Sequence, residues 1–100
     1  MLNERKEGFT TTFWDDFGIA DAFGPKAVED TYRRAFRAWK SDYLYLTDLV
    51  VVLNHKLWQH YQAGREGMAR LYDRLWREAQ QYAYDNLKGE ELKYFIRVID

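Results

Sequence analysis

Apolar residues recur every three or four positions along most of this chain, which is the spacing that collects them on one face of an α-helix. The clearest series runs over residues 65–87, where Glu, Asp and Arg separate the apolar positions and Gly89 follows as a natural stop. Its apolar positions are Met68, Leu71, Tyr72, Leu75, Trp76, Ala79, Tyr82 and Ala83. The pattern predicts a long amphipathic helix.

A second amphipathic helix is predicted from Pro25 to about Lys40. Proline is favoured in the first helical turn because its missing N–H would have no partner there in any case. The apolar positions of this segment are Val28, Tyr32, Phe36 and Trp39. The rings that lie in the middle of the two apolar stripes are expected in the core, namely Phe36, Trp39, Tyr72 and Trp76.

Residues 43–63 carry two conflicting signals. The runs Tyr43–Leu46 and Val50–Val52 have the composition of β-strands, yet the apolar positions of the whole segment keep helical spacing. Strands seldom exceed ten residues, and no second strand of similar quality is present to pair with this one. A helix is therefore predicted, capped at Ser41–Asp42 and ended by Gly64.

Shorter helices are predicted at both ends of this series. Thr12 is the expected N-cap of the first, with Asp15 and Asp16 in its first turn and Gly24 at its end. The tail, residues 90–100, fits two patterns, because positions 92, 95, 96 and 99 have helical spacing whereas 92, 94, 96 and 98 alternate as in a strand. A lone strand would have no partner in a helical chain, so a short docking helix is the better interpretation.

The predicted elements make an all-α protein, a small antiparallel helical bundle of three long helices with short N- and C-terminal helices. Turns of two or three residues force consecutive long helices to run antiparallel. One hundred residues suffice for one domain. We place the helical domain at residues 11–100 and expect the polar residues 1–10 to form a flexible N-terminal arm.

Composition narrows the class of protein further. The chain has no cysteine, which excludes disulfides, thiolate zinc sites and a cysteine nucleophile and is typical of a reducing cytoplasm. No signal peptide is recognisable, and the longest apolar run, Leu49–Leu53, is far too short to cross a bilayer, so a cytoplasmic protein without membrane contact is expected. Lys and Arg number 15 against 16 for Asp and Glu, whereas nucleic-acid binders usually have a basic excess.

No residue pattern points to a catalytic site, a metal or a cofactor. His55 and His60 lie about 140° apart around a helix, unlike metal-binding pairs at three- or four-residue spacing, and we expect both at the surface or its boundary. Asp15, Asp16 and Asp21 could in principle bind a divalent ion, although helix-dipole charge and ordinary solvation explain them better. We therefore expect a protein that is not an enzyme and has neither cofactor nor metal.

Two basic stripes are the strongest polar pattern, each with cations at positions i, i+4 and i+7 of a predicted helix. Their members are Arg33, Arg37 and Lys40 on one helix and Arg70, Arg74 and Arg77 on another. Such stripes can follow the phosphates of a nucleic acid. Acidic residues alternate with them at salt-bridging distance, however, which is also the pattern of an ordinary solvated helix face.

Aromatic residues are the outlying feature of the composition, with four Trp, eight Tyr and six Phe. One domain of this size does not hide all of these rings, and exposed Tyr and Trp are enriched at protein interfaces. The predicted partner-binding residues are Tyr43, Tyr45, Trp58 and Tyr84, with Tyr61 as the alternative to Trp58. A surface for a protein partner, or for self-association, is the predicted use of these rings.

Four segments carry a resemblance to a known family: TTFWDDFGIADAFG, DTYRRAFRAWKSDYLYLTDLVVVLNHKLWQHY, MARLYDRLW and YDNLKGEELKYF. The chain resembles, from Thr11 onward, a family of small uncharacterised proteins carried on conjugative and other mobile elements of Gram-positive gut bacteria. The resemblance brings no catalytic residue with it. It implies an accessory role, of which inhibitors of restriction or CRISPR systems are one kind.

The leading hypothesis is a non-enzymatic helical protein-binding module encoded by a mobile element, of the anti-CRISPR or antirestriction type. A nucleic-acid-binding accessory protein that uses the two basic stripes is the alternative. An enzyme that holds a divalent ion on Asp15, Asp16 and Asp21 is a third hypothesis.

Overall fold

The computed structural model describes residues 11–100, and within that range every regular element is an α-helix. The five helices are α1 (Phe13–Phe23), α2 (Pro25–Trp39), α3 (Tyr43–Gln62), α4 (Glu66–Asn86) and α5 (Gly89–Ile99). The all-α prediction is confirmed, and the predicted limits of the helices agree with the observed ones to within one or two residues. The flexible arm predicted at residues 1–10 lies outside the described residues.

Local side-chain chemistry sets where two of the helices begin. The carboxylate of Asp42 accepts hydrogen bonds from the backbone N–H groups of Leu44 (3.0 Å) and Tyr45 (3.3 Å), which caps α3. Gly24 alone separates α1 from α2, and its φ of 109° is a conformation that L side chains rarely adopt. Pro25 then occupies the first helical position of α2, as predicted.

The start of α1 differs in detail from the prediction. Thr12 precedes the helix as expected, but its hydroxyl donates to the carboxylate of Asp16 (2.9 Å) and caps no backbone N–H group. The neighbouring Thr11 donates its hydroxyl to the carboxylate of Asp48, which attaches the start of α1 to α3. A tertiary hydrogen bond thus stabilises this end of the helix where a local cap was expected.

The core is built around α3, which packs most extensively against α4 and also contacts α1, α2 and α5. Its buried centre is shared by all five helices, and the largest side chains without solvent exposure are Phe17, Tyr32, Leu46, Leu49, Leu53, Tyr72, Leu75 and Phe95. Each of them adds on the order of 1.5–3 kcal/mol of hydrophobic stabilisation. The tail contributes Phe95 to this core from a helix, so the strand interpretation of the tail is wrong.

Four positions differ from their predicted burial. Trp39 was expected in the core but is 38% exposed, and Phe36 and Trp76, also expected there, are half-buried. His60, expected at the surface or its boundary, is only 4% exposed. The rings differ because an apolar stripe is wider than the contact that a neighbouring helix makes, and only the packing decides which of its edges is covered. His60 can be buried because both of its ring nitrogens have hydrogen-bond partners, Asp21 and Arg65.

Candidate functional site

Four aromatic side chains, three of them exposed and one half-buried, lie along α3 and α4. Trp58 and Tyr61 project from the last turns of α3, are 52% and 60% exposed, and meet edge to face with ring centroids 5.5 Å apart. Trp76 and the exposed Tyr84 project from α4. We call these four residues the α3–α4 aromatic surface.

Two shallow cavities connect the four rings. One, of about 380 Å³, is lined by Trp58, Tyr61 and Trp76, and the other, of about 190 Å³, by Trp76 and Tyr84. Asn54 and Trp76 line both cavities, so the two adjoin each other, and Val98 and Ile99 of α5 also line the smaller one. The surface therefore offers concave sites into which apolar side chains of a partner can insert.

A polar pair borders this surface. The Arg77 guanidinium lies over the Trp76 ring, 5.7 Å from its centroid, and its Nε donates to both carboxylate oxygens of Asp73 at 3.1 Å. Arg77 and Asp73 also line the larger cavity together with Trp58. Aromatic rings in the centre with charged groups at the rim are the typical anatomy of a protein–protein interface.

The other two predicted partner-binding residues lie elsewhere. Tyr43 and Tyr45, in the first turn of α3, are about 22 Å and about 20 Å from Trp58 along the helix axis. Both are half-buried: the Tyr43 ring packs edge to face on Tyr94 (5.4 Å), and the Tyr45 ring stacks on Trp39 at 3.9 Å. The structure brings Trp58 and Tyr84 onto one surface and separates Tyr43 and Tyr45 from it.

Ion pairs between α2 and α4 engage one cation of each basic stripe. Arg33 of α2 donates to Glu78 of α4 (2.7 Å) and to Glu29 (3.4 Å), while Arg74 of α4 donates to Glu29 (2.9 Å). The Arg74 hydrogen bond lowers the pKa of the Glu29 carboxyl below its ordinary value, and the bond to Glu78 raises the pKa of Arg33. These four charges link α2 to α4 and neutralise one another.

The remaining stripe residues are mostly engaged as well. Arg77 pairs with Asp73, the Arg70 guanidinium is 3.9 Å from Glu66, and the Lys40 ammonium lies 5.7 Å from the Phe36 and Tyr82 ring centroids. Arg37 forms no ion pair with any residue between 11 and 100. A phosphate backbone would have to compete with acidic partners at Arg33, Arg70, Arg74 and Arg77.

The three aspartates proposed as a carboxylate cluster are not brought together. Asp16 is bound to Thr12, and Asp21 faces α3 and α4. Throughout residues 11–100, no three His, Cys, Asp or Glu side chains are gathered as a metal ion would require. The divalent-ion hypothesis for Asp15, Asp16 and Asp21 therefore has no geometric support.

Asp21 belongs instead to a partly buried polar cluster that sequence reasoning missed. Its Oδ1 accepts from the Tyr72 hydroxyl (2.6 Å), and its Oδ2 lies 2.6 Å from Lys56 Nζ and 3.1 Å from His60 Nε2. Arg65 completes the group by donating its Nε–H to His60 Nδ1 (2.8 Å). We call these five residues the Asp21 cluster.

The geometry of the Asp21 cluster shows which groups donate hydrogen bonds and which accept them. An arginine Nε–H always donates, so His60 Nδ1 must accept, and His60 is the Nε2–H tautomer that donates to Asp21. Burial by itself would raise the pKa of Asp21, but hydrogen bonds from Lys56, Tyr72 and His60 outweigh it and hold that pKa below its ordinary value. Burial and the bond to Asp21 raise the pKa of Tyr72.

One signal in the sequence could have revealed this cluster. Lys56 and His60 are four residues apart and continue the helical spacing of Leu49 and Leu53, so they lie on the face of α3 that carries buried apolar residues. A buried cation needs a buried acid, and Asp21 is the acid of α1 on the same side as Phe17. Lys56 Nζ also donates a hydrogen bond to Gln59 Oε1 (3.1 Å). The Asp21 cluster thus links α1, α3 and α4.

Two findings concern the whole described chain. No helix in residues 11–100 combines the length and the apolar composition needed to span a bilayer. Comparisons with protein-family models, with curated proteins and with solved structures give no significant match.

Proposed function

We propose that this chain is a non-enzymatic helical module that binds a protein partner through the α3–α4 aromatic surface. The observation that carries the proposal is the joint exposure of Trp58, Tyr61 and Tyr84 around the half-buried Trp76. Rings left in water contribute little to folding, because they are exposed in the unfolded chain as well, and Trp and Tyr are enriched among the residues that dominate the energetics of protein interfaces.

Charge and geometry support a protein rather than a nucleic acid as partner. Four of the six cations in the basic stripes already face acidic side chains, and the formal net charge of the chain is −1. Counterion release, which drives nucleic-acid binding, needs cations free to contact phosphates. One ion pair, Arg77–Asp73, borders the α3–α4 aromatic surface, and its two charges cancel.

The proposal extends to biological context and to helix order. Resemblance to proteins of mobile elements supports a cytoplasmic accessory protein, in particular an inhibitor of a restriction or CRISPR system. The three-residue connections after α2 and α3 support an antiparallel course of the three long helices, which presents α3 and α4 side by side to the partner.

A quantitative pull-down tests the proposal. Tagged wild-type chain, the double variant Trp58→Ser, Tyr61→Ser and the control variant Ile96→Ser are incubated with lysate of a bacterial host, and captured proteins are then purified for titration. Ile96 is exposed on α5 and lines neither of the two cavities of the α3–α4 aromatic surface. We expect one partner that binds wild-type and control equally and the double variant at least about tenfold more weakly.

Two results would replace the proposal. A partner that binds the double variant as tightly as the wild type places the interface elsewhere. Binding of duplex DNA or RNA that falls steeply with salt and is lost in Arg33→Glu, Arg74→Glu establishes the nucleic-acid alternative.

The defence role has its own assay. Co-expression of the wild type with a restriction or CRISPR system should raise plasmid establishment, and co-expression of the double variant should leave it unchanged.

A further inference from the structure

A cavity of about 530 Å³ lies where the junction between α1 and α2 meets the turn between α3 and α4. Four members of the Asp21 cluster line it, namely Asp21, Lys56, His60 and Arg65. The side chains of Lys56 and His60 are only 9% and 5% exposed, so packing holds this part of the cavity wall in place. The cavity shares no lining residue with the two cavities of the α3–α4 aromatic surface and is a separate feature of the molecule.

The side chains around this cavity carry an excess of positive charge. Lys56 and Arg65 are cations, and Asp21 is the one acid among residues 11–100 that lines the cavity. Because His60 accepts at Nδ1 and is neutral, two cations and one acid leave a net charge of +1. Lys56 pairs with Asp21, but Arg65 forms no ion pair within the described range. The cavity therefore attracts anions, unlike the basic stripes, where acidic side chains face four of the six cations.

Both cations have hydrogen-bond donors that no protein group uses. The Nε–H of Arg65 donates to His60 Nδ1 (2.8 Å), which orients the guanidinium against a buried ring. Its terminal N–H groups bind no residue in the part of the chain that the structure describes. Lys56 Nζ donates to Asp21 and Gln59, which leaves one of its three N–H groups without an acceptor. These donors are left for a ligand in the cavity.

The start of α4 adds to the positive potential of the cavity. Arg65 immediately precedes this helix, and no side chain caps the N–H groups of its first turn. Met68, in that turn, lines the cavity together with Arg65, whereas the acidic Glu66 does not and lies 3.9 Å from Arg70. The first N–H groups of a helix carry partial positive charge, which supplements the charge of the two cations.

We propose that this cavity binds a phosphate group, either free phosphate or the phosphate of a small monoester. The terminal N–H groups of Arg65 form a fork that matches two phosphate oxygens, and Lys56 supplies a further donor. A tetrahedral phosphate accepts from both cations through different oxygens, whereas a planar carboxylate has only two oxygens to offer. The apolar side chains of Ala22, Pro25 and Met68 line the same cavity and can contact the organic part of a monoester. At so open a site these contacts correspond to a dissociation constant on the order of 1 mM.

NMR titration of the full chain with inorganic phosphate up to 20 mM, at constant ionic strength, tests the site. We expect saturable shifts that are largest at the amides of residues 64–68 and at the Arg65 Nε–H. Arg65→Gln should weaken binding at least about tenfold, because it removes both the charge and the fork. Arg70→Gln removes the same charge from α4 outside the cavity, so this matched control should bind phosphate as the wild type does.

Two results overturn the proposal directly: no saturable shift at 20 mM phosphate, or equal binding by an Arg65→Gln variant that circular dichroism shows to be folded. Acetate should bind at least about tenfold more weakly than phosphate, and acetate that binds as tightly overturns the choice of phosphate. Phenyl phosphate distinguishes the two sources of the group. Tighter binding than that of inorganic phosphate identifies a monoester as the ligand, and equal or weaker binding identifies free phosphate.

Discussion

Replacing Asp21 by asparagine tests whether the Asp21 cluster holds α1, α3 and α4 together. The substitution keeps the shape of the side chain and removes its charge. Lys56 then remains as a cation whose side chain is only 9% exposed, with no acid beside it. The asparagine side chain also places an NH₂ group where Asp21 has one of its two carboxylate oxygens. That NH₂ group cannot accept a hydrogen bond, although donors lie on both sides of Asp21.

The magnitude follows from the loss of one member of a buried ion pair, which costs about 3–5 kcal/mol in a dry interior. Lys56 lies beside a shallow, open cavity, so we expect the lower part of this range, about 3 kcal/mol. For a domain of this size that corresponds to a decrease in Tm of roughly 12–24 °C. The exposed Asp15 on the same helix serves as control, and Asp15→Asn should cost about 0.5 kcal/mol.

Urea unfolding at pH 7, followed by circular dichroism, measures the effect. A second comparison separates charge from packing: Asp21→Asn combined with Lys56→Met should be more stable than Asp21→Asn alone, because the unpaired cation is then removed. Equal stabilities of Asp21→Asn and Asp15→Asn would refute the reasoning, as would a double variant whose loss is the sum of the single losses.

Acidification should remove the difference between wild type and Asp21→Asn. The folded-state pKa of Asp21 lies below the ordinary carboxyl value of 3.8, so the unfolded chain takes up the proton first. The stabilisation by Asp21 is therefore complete well above pH 3.8 and is lost as the pH falls through the folded-state pKa. Urea midpoints for the two proteins between pH 6 and pH 2 should converge; a constant gap would contradict an ionised Asp21.

Two further predictions concern the core. Burial raises the folded-state pKa of both Tyr32 and Tyr72 above the ordinary value of 10.0. As the pH rises, the unfolded state therefore loses the protons of these two tyrosines before the folded state does. Above pH 10 the free energy of unfolding should decrease by about 1.4 kcal/mol per pH unit for each tyrosine. Tyr72→Phe should reduce that slope by half in urea titrations between pH 9 and 12. Phe17→Ala empties a fully buried position and should cost about 3–5 kcal/mol, whereas Phe23→Ala, at an exposed ring, should change the urea midpoint little.

The sequence by itself determined the helices of this protein. Helical spacing of apolar residues is a local property, and so are the Asp42 cap and the Gly24–Pro25 junction, which explains why the limits of α2 and α3 were predicted closely. Composition also predicted that exposed rings would remain, and Trp58 and Tyr84 are among them.

Only the tertiary structure decided which edges of the apolar stripes are covered by other helices. It also decided which side chains that are far apart in the sequence come into contact. The hydrogen bond between Asp21 and Tyr72 spans 51 positions of sequence, and that between Asp21 and His60 spans 39. No local pattern encodes such a pairing, because it depends on how three helices pack. The same packing leaves Trp39 partly exposed and Tyr43 and Tyr45 half-buried. It also leaves a groove between α1 and α2 beside Phe23.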